Sequence, residues 1–307
     1  MKRINELESR PRSVTVILNT NRRDDTLACL DSLEKATYKN NEIIVLDNHS
    51  QDGSVSAIRS AFPNVKIIEL CDNRGYAGNN NVGIRAALEQ GAEWIFVLNE
   101  DTILAPDCLP SLVTVGEADP RIGMLGPMVY HYDEPEVIQS AGGWMNRFWE
   151  AGHIGQNVQD RGQFTQPRPV EWLTGCSLLV RRGVIDQVGM LDERFFIYSE
   201  ETEWCFRARK AGWRLVHVPQ AKLWHKGVKR DYSPSPSVIY YMTRNHFLML
   251  AKHRAPLSAW LVAWGRTLRT MASWTVKPKW RNKRAYRDAM WRGTIDFLRH
   301  HWGAYSS

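Results

Sequence analysis

The chain has 307 residues, 43% hydrophobic and 24% charged, the balance of a globular protein long enough for a full core and an appendage. Its five cysteines (Cys29, Cys71, Cys108, Cys176, Cys205) are scattered and never in C-x-x-C spacing, which excludes a disulfide framework or zinc site and points to a reducing, cytoplasmic setting. The net charge of +7 divides unevenly: from Lys222 onward 17 Lys and Arg face three acids and seven of the 13 Trp occur, whereas residues 1–221 carry 23 bases and 30 acids.

The opening stretch MKRINELESRPRS is polar and does not read as a signal peptide. Short β-branched runs then alternate with helical periodicity. Strands are predicted over 13–18, 42–46, 65–70 and 94–98, and helices over 24–36, 54–61 and 76–90. Near-continuous apolar strands joined by crossover helices predict an α/β fold with a parallel sheet covered on both faces. Further strands are predicted over 122–130, 171–181 and 214–218, and a helix over 201–211. The Gly- and Gln-rich stretch 141–169 reads as a mobile loop or a small subsheet. Residues 232–237, with two prolines, read as a turn or linker before helical segments 238–253 and 257–274. No run of 18 apolar residues occurs, so no spanning helix is expected.

Polar residues end each of the first four predicted strands: Asn19-Thr20-Asn21, Asp47-Asn48, Asp72-Asn73 and Asn99-Glu100-Asp101. Open parallel sheets bind ligands outside the carboxyl ends of their strands. One such cluster is ordinary turn and cap chemistry, but four in register mark a site. Neither G-x-G-x-x-G nor G-x-x-x-x-G-K-[ST] occurs, which disfavours a dinucleotide fold and a P-loop. Asn73-Arg-Gly-Tyr-Ala-Gly-Asn79 instead offers glycines for close backbone approach and Arg74 for a phosphate. Carboxylates at the fourth strand end suit Mg²⁺ or Mn²⁺, hard cations that bridge to diphosphate oxygens. A second acidic group, Glu200, Glu201 and Glu203, opens a predicted helix. Glu203 pairs with Arg207 one turn on. Glu200 and Glu201 follow an apolar, aromatic stretch, where burial raises a carboxylate pKa and suits a general base.

Together these motifs resemble the inverting family-2 glycosyltransferases of GT-A fold, and especially their rhamnosyltransferase-like branch. The matching stretches are Val14-Thr-Val-Ile-Leu-Asn-Thr20, Glu42-Ile-Ile-Val-Leu-Asp-Asn-His-Ser-Gln-Asp-Gly-Ser54, Asn73–Asn81, Leu98-Asn-Glu-Asp-Thr102, Trp172–Arg182 and Leu191–Glu201. The resemblance implies a GT-A domain over 1–231, with a donor half (12–102) and an acceptor half (103–231), and a basic, Trp-rich helical extension over 232–307. It implies nucleotide binding by Thr20, Asp47 and Arg74, with Asn21, Asn48, Gly75 and Asn79 beside them. Asp101 falls on the last Asp of the family's D-x-D metal motif and His225 on its late metal-binding histidine. Glu201 falls on the catalytic base, and Trp172 and Gly175 lie where the acceptor docks.

Two departures stand out. Asn99 replaces the first Asp of D-x-D, and the base is Glu rather than Asp, so Glu200 stays an alternative. The implied reaction moves a sugar from dTDP-rhamnose or a UDP-sugar to a glycan or lipid-linked acceptor, with inversion and a divalent metal. A nucleotidyltransferase or a non-catalytic sugar-binding protein are the rival readings. The Trp- and Arg-rich tail suits an anionic membrane surface, which implies a peripheral protein on the inner face of the cell membrane. No nucleic-acid-binding fold is present in the pattern, so no nucleic-acid partner is expected.

Overall fold

Apolar residues run nearly continuously along β-strands of the first third and so supply both faces of one sheet. The computed structural model describes residues 10–227 and 229–305; the first nine residues of the polar N-terminal stretch lie outside the described residues. Strands β1 (Ser13–Asn19), β2 (Asn41–Asp47), β3 (Lys66–Glu69) and β4 (Trp94–Asn99) run parallel in the order β3-β2-β1-β4. Helices α1 (Arg23–Glu34), α2 (Ser54–Ala61) and α3 (Gly75–Glu89) join them. Val14, Val16, Ile44, Leu46, Ile95 and Val97 pack on one face against Ala77, Ile84 and Ala87 of α3. Ile17, Val45, Phe96 and Leu98 pack on the other, against Leu30 and Leu33 of α1. The period-2 pleat thus buries both faces of the same strands.

The second half widens the sheet. After β5 (Thr102–Leu104) and α4 (Cys108–Glu117) come β6 (Ile122–His131) and β7 (Val137–Ser140). The 141–169 stretch forms a small antiparallel hairpin, β8 (Gly143–Met145) with β9 (Ala151–His153), and two short strands, β10 (Val158–Gln159) and β11 (Arg168–Pro169). Strand β12 (Ser177–Arg181) lies antiparallel between β4 and β6. It starts later than the predicted 171–181 strand because Trp172 makes only an isolated bridge to Gly143 before a turn. Helices α5 (Arg182–Val188) and α6 (Glu200–Lys210) lead to β13 (Arg214–His225).

Strand β13 is far longer than its predicted 214–218. It runs parallel to β6, shifts register between Val218 and Lys222 around Pro219, and continues antiparallel to β5, which sets His225 opposite Thr102. A proline interrupts a ladder, but a bulge tolerates it. The expected linker at 232–237 ends inside a helix, because Pro236 occupies the first turn of α7 (Pro236–Lys252) behind the Ser235 N-cap. Proline fits there, where no intrahelical donor is needed. With α8 (Leu257–Val276) and α9 (Arg284–Leu298), this helix forms a core of Phe247, Leu248, Leu250, Ala259, Ala263 and Phe297 that also contains Phe195. Among the described residues, no helix is long and apolar enough to cross a membrane.

Candidate active site

The β1 and β2 ends form a hydrogen-bonded rim. Asp47 is buried, and its two carboxylate oxygens accept from Asn19 Nδ2 (2.8 Å) and the Ser50 backbone N–H (3.0 Å). Asn48 Nδ2 donates to Thr20 Oγ1 (3.3 Å), while its buried Oδ1 has no protein partner. Thr20 and Asn21 are exposed at the mouth. Asn21 takes a left-handed φ of 53°, and its N–H donates to Ser50 Oγ (2.9 Å). Asp47 therefore shapes the rim, Thr20 and Asn21 stand exposed on it, and Asn48 keeps one buried oxygen without a protein partner.

The next element is the N-terminus of α3. Asn79 is buried and its Oδ1 accepts from the Arg74 N–H (3.0 Å), while the Gly75 N–H donates to Asn73 Oδ1 (2.9 Å). Asn79 thus folds the loop from behind. Arg74 is exposed and makes no ion pair among the described residues, so a cation stands at a helix N-terminus, a favourable place for phosphate. Gly75 has φ of +69°, and a Cβ there would collide with the Phe196 carbonyl oxygen, which accepts from the Ala77 N–H (3.0 Å). The donor loop is therefore in direct contact with the segment preceding Glu200.

Asp101 and His225, far apart in sequence, meet because β13 pairs with β5. His225 Nε2 lies 3.1 Å from Asp101 Oδ1, and both side chains are buried. Asp101 Oδ1 has no hydrogen-bond partner, and Gly227 leaves open the space that a Cβ would take from Asp101 Oδ2. On the far side of the ring, Nδ1 lies 3.1 Å from Gln139 Oε1, an acceptor, so the tautomer with its proton on Nδ1 is held there and would leave the Nε2 lone pair free for a cation shared with Asp101. An orphaned carboxylate oxygen beside an imidazole lone pair fits a hard-to-borderline divalent cation. Among the described residues, no third His, Cys, Asp or Glu joins them into a closed cage, so the remaining positions face ligand and solvent. Burial and the Asp101 charge push Glu100 up to about 8.

A further group of site residues centres on the α6 N-terminus. Phe196, Tyr198 and Ser199 have φ of 65°, 68° and 70°, left-handed values that cost on the order of 1–3 kcal/mol each and persist only where the surroundings enforce them. Glu201 lines a groove of ≈ 690 Å³ together with Trp149, His153, Trp172, Met242 and Thr267. Glu200 lies beneath it, buried, with Oε2 lacking a partner. Burial and then the charge of Glu201 lift the Glu200 pKa well above the carboxylate range, and burial raises that of Glu201. Trp172 is held by its Nε1 donating to the Trp144 carbonyl (3.1 Å) and by the His153 ring 4.7 Å away. The position a Gly175 Cβ would take lies 3.3 Å from Glu201 Cγ, so glycine gives Glu201 its room. Glu203 sits apart, buried in ion pairs with Arg207, Lys252 and His253 that join α6 to α7.

Tyr76 ties these parts together. Its hydroxyl lies 2.7 Å from the Gly175 carbonyl and 3.1 Å from Asn99 Oδ1. Tyr76 thus links the β4 end, beside Asp101, to the Gly175 turn that packs against Glu201. Tyr76 and Gln139 escape sequence reasoning, since neither carries charge or a motif spacing.

A mixed sheet with helices on both faces and polar groups at its strand ends has the GT-A architecture of nucleotide-sugar transferases. The mannosyltransferase PcManGT from Pyrobaculum calidifontis, solved with GDP-Man and Mn²⁺, shares this fold: TM-score 0.59 at 16% identity, over 95% of this chain and 88% of that one. Residues 14–189 match Glycosyl transferase family 2, and the chain belongs to that family; it is a glycosyltransferase. It is 30% identical over 253 residues to the N-acetylglucosaminyl-diphospho-decaprenol L-rhamnosyltransferase of Mycobacterium tuberculosis, covering 74% of this chain and 82% of that protein. It is also 30% identical over 224 residues to the dTDP-rhamnosyl transferase RfbF of Shigella flexneri, covering 70% and 72%.

Proposed function

We propose that the protein transfers a deoxyhexose, L-rhamnose from dTDP-rhamnose, to a hydroxyl of a lipid-linked glycan, with inversion, in the assembly of a cell-surface polysaccharide. The observation that carries this reading is the Asp101–His225 pair at the β4 end, linked through the Tyr76 hydroxyl to the Gly175 turn against which Glu201 packs at its groove. Thr20, Asn21 and Asn48 receive the nucleoside at the rim that Asp47 shapes. Arg74, at the α3 N-terminus behind Gly75 and Asn79, faces the diphosphate. Trp172 and Gly175 border the acceptor sugar. Glu201 takes the proton from the acceptor hydroxyl, whose oxygen attacks the anomeric carbon opposite the departing nucleoside diphosphate. A divalent cation, Mg²⁺ or Mn²⁺, on Asp101 and His225 supplies Lewis-acid stabilisation of the diphosphate charge when bound. The Mn²⁺ in the related mannosyltransferase structure and the rhamnose in both relatives' names support these assignments.

Release of nucleoside diphosphate from a panel of nucleotide sugars, with and without Mn²⁺ and a lipid-linked acceptor, tests the reading. We expect dTDP release from dTDP-rhamnose that depends on metal and acceptor. Turnover confined to a UDP-sugar would replace the donor, pyrophosphate release would indicate a nucleotidyltransferase, and no release from any donor would indicate a binding protein.

We further propose that the 232–307 helices hold the protein peripherally on an anionic membrane at the inner face of the cell membrane. Trp260 and Trp264 are partly spent on packing against Phe247, at ring distances of 6.1 and 4.6 Å. Exposed apolar surface falls instead on Leu257, Leu261 and Leu268, one stripe of α8, flanked by Arg254, Arg269 and Lys277. Leu257, Leu261 and Leu268 changed together to Ser should at least halve flotation with phosphatidylglycerol vesicles and leave phosphatidylcholine vesicles unbound by either form. Equal flotation of both forms removes this surface from consideration.

A further inference from the structure

Two adjacent polar residues in the middle of α7, Arg244 and Asn245, are fully buried. Burial of such groups is tolerated only when their donors are satisfied. Among the described residues no carboxylate pairs with Arg244. Its donors go to backbone carbonyls: Nη2 to Phe195 (2.8 Å) and Arg194 (3.2 Å), Nη1 to Gly303 (2.9 Å). Its Nε donates to Asn245 Oδ1 (3.1 Å), which orients the amide so that Nδ2 points at three converging carbonyls, those of Phe195 (2.9 Å), Ile197 (2.9 Å) and Tyr198 (2.7 Å). These carbonyls belong to the segment that delivers the chain to Glu200. Phe196 there makes the strained form of γ-turn, φ 65° and ψ −63°, with the Ile197 N–H donating to the Phe195 carbonyl (2.8 Å), and Tyr198 and Ser199 follow in left-handed conformations. From the opposite side the Phe196 carbonyl is held by the Ala77 N–H of the donor loop. The segment is gripped between α3 and α7, and α6 begins where the grip ends.

We propose that Arg244 and Asn245 are positioning residues for the reaction: they enforce the left-handed turns that aim Glu201 into the acceptor groove. This rests on the reading of Glu201 as the base. A backbone that is free to relax toward ordinary φ values would withdraw the carboxylate from the acceptor hydroxyl, and misplacement by about 1 Å costs roughly 10²-fold in rate. A packing anchor alone would show itself as lost stability and not as lost chemistry in folded enzyme.

The test is a double-mutant cycle on the full chain, with turnover, dTDP affinity in the presence of Mn²⁺ and thermal melting measured for Asn245→Ser, Glu201→Gln and the pair. Arg244→Lys, which keeps charge and most of the volume but loses the planar fork, is read by the same criteria and carries the test if Asn245→Ser is poorly soluble. We expect the single change to lower kcat about 30-fold or more with dTDP affinity within about threefold, and to add less than about threefold in the Glu201→Gln background. Equal losses in both backgrounds, or kcat within about threefold of wild type while Glu201→Gln is crippled, overturn the positioning role and leave the base in place. Wild-type turnover in both Glu201→Gln and Glu200→Gln removes the base assignment, and the positioning role falls with it.

Discussion

Glu201→Gln should lower turnover by about 10²–10⁴-fold, the usual worth of a general base, with nucleoside diphosphate affinity unchanged. Glu200→Gln should leave turnover within about threefold. The contrast follows from environment. Glu201 borders the groove, whereas Glu200 lies beneath it with a partnerless oxygen. Burial and the adjacent Glu201 charge keep Glu200 protonated, and Gln mimics a neutral acid well. Burial also raises the Glu201 pKa, so kcat should fall as pH drops through a value above the ordinary carboxylate range. Folding lifts the Glu200 pKa over its unfolded value, so native stability declines as pH rises from the unfolded pKa toward the folded one. Glu200→Gln removes that dependence, which thermal melting across pH will read. Full activity of Glu201→Gln sinks the assignment.

Asp101→Asn should weaken Mn²⁺ binding, read calorimetrically with dTDP present, and should cut turnover at saturating donor by roughly 10²–10⁴-fold, several kcal/mol of charge stabilisation. Gln139→Leu should show a milder form of the same defect, about 10–100-fold in metal affinity, because it removes the acceptor that holds the proton on His225 Nδ1. Unchanged Mn²⁺ affinity in Asp101→Asn would refute the site. A loss at Asp101 without one at Gln139 would keep the metal and discard the tautomer argument.

The parallel part of the sheet was largely legible from sequence, because parallel strands buried on both faces must be continuous apolar runs and their ends must carry the polar groups. Where local pattern and tertiary context disagree, legibility fails. Trp172–Cys176 has a strand's composition but turns under the groove. The β13 strand outlasts Pro219 because a bulge absorbs it, and only that continuation brings His225 to Asp101. Motif resemblance supplied the proposed metal and base residues, yet it could not separate Glu200 from Glu201, since burial relative to a groove has no sequence period. Asp47 and Asn79 illustrate the reverse limit: read as ligands, both spend side-chain oxygens on the protein's own loops. Gln139, Arg244 and Asn245 were invisible because their partners are a distant side chain and backbone carbonyls, which leave no charge pattern.

The Gly303 carbonyl that receives Arg244, and the Tyr305 N–H that donates to the Tyr241 hydroxyl (2.7 Å), bear on how the enzyme can be handled. Trimming the chain at the end of the sheet, a natural choice for a minimal fragment, would strip the guanidinium of an acceptor and open one wall of the groove. Purification tags and fusion partners therefore belong at the amino end, and deletion series should stop short of residue 303.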